Sequence, residues 1–195
     1  MKKFVTILLM FILPFGLLVG GGIFLLKKFK KMKAVKEKQA EITKSKGWKY
    51  FSLSELDKRK NKEVDIDEAT LKNLDTLVTK VLDPLREKYG HPIHVTSGLR
   101  DYVPSGGSTT SDHLKGCAVD IEGFDYSNAE NKALAELLLE MNLPYTQLIN
   151  EFGFSWFHIA LNPKDNRKRL TVSSGNRNNP TYTQYGTEKT KWLVA

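Results

Sequence analysis

Two short segments alternate apolar and polar residues with a period of two, and they restrict the fold more than any other feature of the chain. In "GCAVDIEG" (116–123) Val119 and Ile121 fall on one side and Ala118, Asp120 and Glu122 on the other. In "FSWFHIAL" (154–161) Phe157, Ile159 and Leu161 oppose Trp156, His158 and Ala160. Successive side chains of a strand point to opposite faces, so each segment reads as a β-strand with one face in a core. If both turn their larger apolar set inward and pair, Asp120 and His158 lie on the other face of one sheet, within reach of a single ion.

The remaining elements fit around these strands. "PIHVTSG" (92–98) reads as a third, β-branched strand, and "RDYVPSGGSTTSD" (100–112) as a long polar loop. Between Asp67 and Gly90 the apolar residues Leu71, Leu74, Val78, Val81, Leu82 and Leu85 follow one helical face, with Asp67 as N-cap, Gly90 as stop and Pro84 expected to kink or divide the helix. "NAENKALAELLLEMN" (128–142) reads as a second helix, and Ser52 or Ser54 as the cap of a short one. After Asn162 an edge strand is expected near Leu170–Val172, with the polar tail 173–195 largely irregular. Helices alternating with short strands, without the Gly-rich turns of a doubly wound sheet, point to an α+β domain over 47–172, its helices packed on an antiparallel sheet.

His113 lies in the loop that feeds the strand of Asp120. With His158 it makes two imidazoles and one carboxylate, a set that leaves a fourth position free on a catalytic zinc, whereas a structural site would be closed by four protein ligands. Spacing alone leaves a second reading open, with His113 capping a loop and His158 an ordinary strand histidine. His91 and His94 form a competing pair without an obvious carboxylate neighbour, and structural roles suit them better.

Residues 4–26 are uncharged and mostly apolar, long enough at about 1.5 Å per residue to cross a hydrocarbon core of about 30 Å. They read as a transmembrane anchor (1–26), followed by a solvated Lys-rich linker (27–46) that serves as a spacer and can be helical; the run is longer than the core of a cleaved signal and ends in "KKFKKMK". The first 46 residues hold eleven lysines and two glutamates, so the net charge of +8 resides there, while the rest is nearly neutral. That balance argues for a membrane surface and against nucleic acid, whose partners carry the basic footprint on the fold itself. Cys117 is the single cysteine, so no intrachain disulfide forms. Nothing in the sequence identifies a protein partner.

The blocks "FSLSEL", "VLDPLREKYGHPIHVTSGLR", "SDHLKGCAVDI", "QLINEFG" and "WFHIAL" occur in an order and at intervals that resemble the zinc D-alanyl-D-alanine carboxypeptidase family, peptidoglycan peptidases of the Hedgehog/D-Ala-D-Ala peptidase fold. The likeness runs from about Phe51 to Leu170. It implies one catalytic zinc held by His113, Asp120 and His158, and Arg100 as a residue that holds a substrate carbonyl or carboxylate. Ser111 would touch the substrate or order the loop, and Trp156 would line the substrate site. Glu151 matches the general base of one branch, while Ser155 stands where several relatives carry a glutamate; Glu122 is the next candidate. Leu99 replaces the usual aromatic, and "DYVPSGGSTTSD" replaces an asparagine-containing segment.

The resemblance implies hydrolysis of a peptide bond in peptidoglycan stem peptides or their cross-links, by a carboxypeptidase, an endopeptidase or a phage endolysin. A wall-binding module without catalysis is the reading of a different class. A peptidoglycan substrate requires the domain outside the cytoplasmic membrane, although the seven lysines between Lys27 and Lys38 favour the opposite orientation.

Overall fold

The computed structural model describes residues 15–194, with side chains from Phe24 onward. A long helix α1 (Phe15–Lys46) leads into a one-turn helix α2 (Leu53–Leu56), then α3 (Glu68–Leu77) and α4 (Asp83–Tyr89). Strands β1 (His94–Ser97) and β2 (Ala118–Glu122) flank the polar loop, and α5 (Asn128–Glu140) follows. The chain closes with β3 (Gln147–Glu151), β4 (Trp156–Ala160), β5 (Arg169–Asn176), β6 (Asn179–Gly186) and α6 (Lys189–Val194).

The expected caps form. Ser52 and Glu55 make a reciprocal capping box on α2, Asp67 accepts from the amide of Thr70, and Gly90 ends α4 with φ +80°. Pro84 has no N–H to give to Lys80, and its ring crowds that carbonyl. The chain responds with a π-helical turn at Val78–Leu82, which divides the expected helix into α3 and α4.

All six strands form one sheet in the order β1-β2-β4-β3-β5-β6. Every pairing is antiparallel except β3 with β5, which is parallel, so the sheet is mixed rather than antiparallel as expected. The reason is connectivity. The loop after β4 passes the start of β3, so that Arg169 pairs beside Gln147 and β5 runs in the direction of β3. The helices cover one face, where Leu74, Leu77, Val81, Leu82 and Leu134 pack against Val119, Ile121, Leu148, Phe157 and Ile159. The opposite face carries Asp120 and His158.

Both ends of the domain differ from expectation. The linker over 27–46 is helical, as its reading allowed, but it is more than a solvated spacer, because its last turns dock: Gln39 Nε2 donates to the buried Asp57 carboxylate at 2.9 Å, and the amide of Leu53 donates to Thr43 Oγ1 at 2.8 Å. Among the described residues no helix is long and apolar enough to cross a membrane, and residues 4–14 of the expected span lie outside them. At the other end, 173–195 is not an irregular tail beside an edge strand. β5 is interior, β6 forms the edge, and α6 places Trp192 in the core with no exposed surface. Its polar composition misled because β6 is exposed along most of its length and buries little.

Trp192 fixes this corner. Its Nε1 donates to the carbonyl of Thr171 at 2.6 Å, and its ring meets those of Phe154 and Phe157 at centroid separations of 5.6 and 6.0 Å. Trp192→Ala is therefore expected to destabilise the domain by about 3–5 kcal/mol, the range for emptying a buried aromatic site. Urea unfolding of the purified protein measures it; a midpoint equal to wild type would remove α6 from the core.

Candidate active site

The pairing register sets the site. Asp120 lies directly opposite His158 in the β2–β4 ladder, and both point away from the helices. His113 comes from a 3-10 turn, Asp112–Lys115, that runs into β2. Its Nδ1 lies 2.8 Å from the carbonyl of Gly98; since that oxygen can only accept, Nδ1 carries the proton and Nε2 presents a lone pair. Gly98 cannot be replaced without cost, because a Cβ there would meet the Leu56 carbonyl oxygen at 2.1 Å. The close approach of α2 thus determines where the carbonyl that orients His113 lies.

Three ligand atoms converge. His113 Nε2 and His158 Nδ1 are 3.2 Å apart, and Asp120 Oδ1 lies 3.3 Å from the first and 2.7 Å from the second. A tetrahedral ion with bonds of about 2.0–2.1 Å requires ligand atoms about 3.3 Å apart, so the triangle fits zinc with a small expansion on the Asp120–His158 edge. These residues could hold a metal ion. The donor set also suits zinc, since three lone pairs facing one another at this range need a cation or a proton between them. Burial opposes ionisation of Asp120, but the charge and hydrogen bonds of the two histidines outweigh it and hold the carboxyl well below the usual carboxylate range. Burial likewise disfavours His158 in its charged form, yet the hydrogen bond and charge of Asp120 prevail and raise its pKa above 6.5.

All seven residues singled out from the sequence line one cleft of about 910 Å³: Arg100, Ser111, His113, Asp120, Glu151, Trp156 and His158. Arg100 Nη2 donates to Ser111 Oγ at 3.2 Å, which orders the loop, while its buried Nε has no hydrogen-bond partner among the described residues. Glu151 reaches the site as the last residue of β3, opposite Trp156 on β4. Its carboxylate is buried, which raises its pKa; the hydrogen bond from Ser173 works the other way. Glu122 does not line the cleft. His91 packs near Phe124, and His94 stacks on Tyr126 at 4.2 Å and meets its hydroxyl, so both serve the opposite edge of the sheet.

The sequence reading passed over Ser173, Arg177 and Tyr182. Ser173 Oγ donates to Glu151 Oε2 through a short hydrogen bond, and Arg177 and Tyr182 line the same cleft from the C-terminal hairpin. A trace of Ser173 exists in "RLTVSSG", where Leu170 and Val172 alternate with Thr171 and Ser173, but four residues in a polar tail are a weak signal, and nothing local marks Arg177 or Tyr182.

The family model described as Peptidase M15 matches residues 49–159, more than half of the chain. No curated protein matches the chain.

His113→Ala, Asp120→Ala and His158→Ala are each expected to weaken zinc binding by more than the roughly 10–100-fold that loss of a second-layer partner costs. Protons compete for the same lone pairs, and the pKa of His158 is raised, so zinc should be released as pH falls through and below neutrality. Metal content after dialysis over a pH series tests both. Stoichiometric zinc in any two of the variants would remove the assignment.

Proposed function

The chain belongs to the peptidase M15 family, whose members are zinc-dependent metallopeptidases, and we propose that it hydrolyses a peptide bond in the stem or cross-link of peptidoglycan. The observation that carries this reading is the triangle of His113 Nε2, Asp120 Oδ1 and His158 Nδ1 on the floor of an open, largely polar cleft, with a buried glutamate on the next strand.

Bound to the three ligands, zinc supplies a Lewis acid that polarises a scissile carbonyl and acidifies water. The other tasks fall to the chain's own side chains. Glu151, ionised, takes a proton from the attacking water; as the C–N bond breaks, it returns that proton to the leaving amine. Ser173 donates to Oε2 and so fixes the orientation of the carboxylate for this exchange. Arg100, steadied by Ser111, holds a substrate oxygen so that the carbonyl faces the ligand triangle. Burial of His113, His158 and Glu151 limits competing water around the reacting atoms.

Glu151→Gln is expected to retain zinc and lose about 10²–10⁴-fold in kcat, the usual share of a general base. In the unaltered enzyme kcat/KM should fall on the acid side at a pH above the 4.5 of an ordinary glutamate, because burial raises the pKa of a base that must be ionised to work. Release of new amino groups from purified peptidoglycan, measured over pH with zinc content determined in parallel, tests the activity and the base together. A zinc-loaded protein that releases none would refute the reading.

For location, we propose that residues 4–26 anchor the chain in the cytoplasmic membrane with the domain on the wall side, where this substrate lies. The full-length protein should then stay with membranes in high salt, because an apolar anchor is indifferent to ionic strength whereas lysines on a lipid surface are screened beyond about 8–10 Å. Protease added to spheroplasts should degrade the domain. Protection until the membrane is dissolved would place it inside.

A further inference from the structure

Two stretches of chain build the cleft floor. β2, β3 and β4, with the turn of His113 before them, carry the metal ligands and Glu151 and lie within the family match except for Ala160, whereas β5 and β6 lie beyond residue 159. The registers continue the site onto this second stretch. Thr171 of β5 extends the row of Asp120, His158 and Ile149, while Ser173 and Tyr182 extend the row of Trp156 and Glu151. The hairpin tip leans against the loop that carries Ser111: Gly106, at φ +74°, sits where a Cβ would lie 2.7 Å from the Asn178 carbonyl oxygen. Tip and loop therefore face each other beside the Glu151 end of the cleft.

Arg177 occupies that tip, in a two-residue turn closed by the Asn176–Asn179 pair and braced by the Asn178 amide donating to Asn176 Oδ1 at 2.8 Å. Its guanidinium carbon lies 5.2 Å from the centroid of Trp156 and 5.6 Å from that of Phe152, and Nη2 donates to Ser155 Oγ at 3.5 Å. The two rings are themselves in contact, with centroids 5.4 Å apart. A guanidinium resting on aromatic faces keeps its in-plane N–H donors at the edge, ready for a planar acceptor, and much of its rotamer freedom is already lost. Charge is unbalanced at this point. Of the arginines lining the cleft, Arg167 and Arg169 both pair with Asp165, whereas Arg177, like Arg100 beside Ser111, pairs with no carboxylate among the described residues.

We propose that Arg177, packed against Trp156 and Phe152, is a carboxylate-binding subsite that reads an acidic residue of the peptide substrate away from the scissile bond. The fork of a guanidinium matches a carboxylate through two parallel N–H···O bonds, and an amide of the same shape cannot accept both. The subsite rests on the peptidase reading for the identity of its ligand, and it deepens that reading. It makes the enzyme selective for stem peptides whose acidic side group is free over those in which it is amidated. Trp156 then acts chiefly as the platform for Arg177.

The test uses the zinc-loaded full-length protein and two stem-peptide substrates that differ only in a free or an amidated carboxyl. Wild type should favour the free acid by about 10–100-fold in kcat/KM, the range for a charged hydrogen-bonded pair, and the difference should lie in KM. Arg177→Gln should raise KM for the free acid to near the value for the amide. Arg177→Lys should recover part of the preference, since it keeps the charge but not the fork. Calorimetric binding of the same two peptides reads the subsite independently of turnover. Equal KM and equal affinity for the two peptides in wild type, unchanged in Arg177→Gln, overturns the subsite while hydrolysis stands. Discrimination in binding without any hydrolysis supports the subsite and overturns the peptidase reading; binding of neither peptide overturns both.

Discussion

The antiparallel pairing of β2 with β4, in the register that sets Asp120 against His158, is the constraint on which the rest of the site depends. A slip of one residue would turn Asp120 towards Leu134 and Phe157 and expose Val119 and Ile121, because strand side chains alternate strictly. Burial of Val119, Ile121, Phe157 and Ile159 under α5 and the α3–α4 pair thus fixes the position of the carboxylate as well as the fold. Apolar contacts on one face determine the metal geometry on the other. His113 joins them because the tight turn before β2 and the Gly98 carbonyl leave its ring one orientation.

Such a site is costly without a cation. A carboxylate and two imidazoles, largely removed from water, repel or protonate one another unless a charge is supplied between them. The shifts at Asp120 and His158 show a proton supplying that charge in the absence of an ion, since each group is held towards its charged form by the other against burial. Metal binding and stability of this corner are therefore linked, and the same protons that titrate His158 compete with the ion. Glu151 stands apart from the triangle. Its carboxylate is not among the converging ligand atoms, and burial biases it towards the neutral form, as suits a group that must accept and return a proton.

The C-terminal hairpin changes the picture of the domain. Ser173 holds Glu151, Tyr182 lies beside it, and Arg177 overhangs Trp156, so the second half of the cleft comes from residues beyond the family match. Trp192 and Thr171 tie this segment to the core through a buried hydrogen bond. At the other end α1 is docked through Gln39, Ile42 and Thr43, with Lys46 paired to Asp75, and its remaining lysines from Lys27 onward are exposed. Exposed pairs such as Lys31–Glu63 and Lys38–Asp65 contribute at most about 1 kcal/mol each, so the buried Asp57, held by Arg59 and Gln39, is the firmer attachment.

By itself the sequence determined what short-range physics controls. Alternation in "GCAVDIEG" and "FSWFHIAL" assigned the core and site faces, Asp67 and Gly90 bounded a helix, Pro84 divided it, and the order of motif blocks pointed to a zinc peptidase. It did not determine which strand lies beside which. "QLINE" is buried on both faces and has no clear period, so β3 and the route by which Glu151 enters the site were not legible. β6 buries too little to signal a strand, yet pairing with β5 makes it one. Ser173 and Arg177 lie twenty-two residues from Glu151 and Ser155 respectively, and no local pattern links them. Only the mixed sheet, with β5 parallel to β3, brings them together, because hydrogen-bond pairing between strands is a long-range choice set by packing of the whole domain.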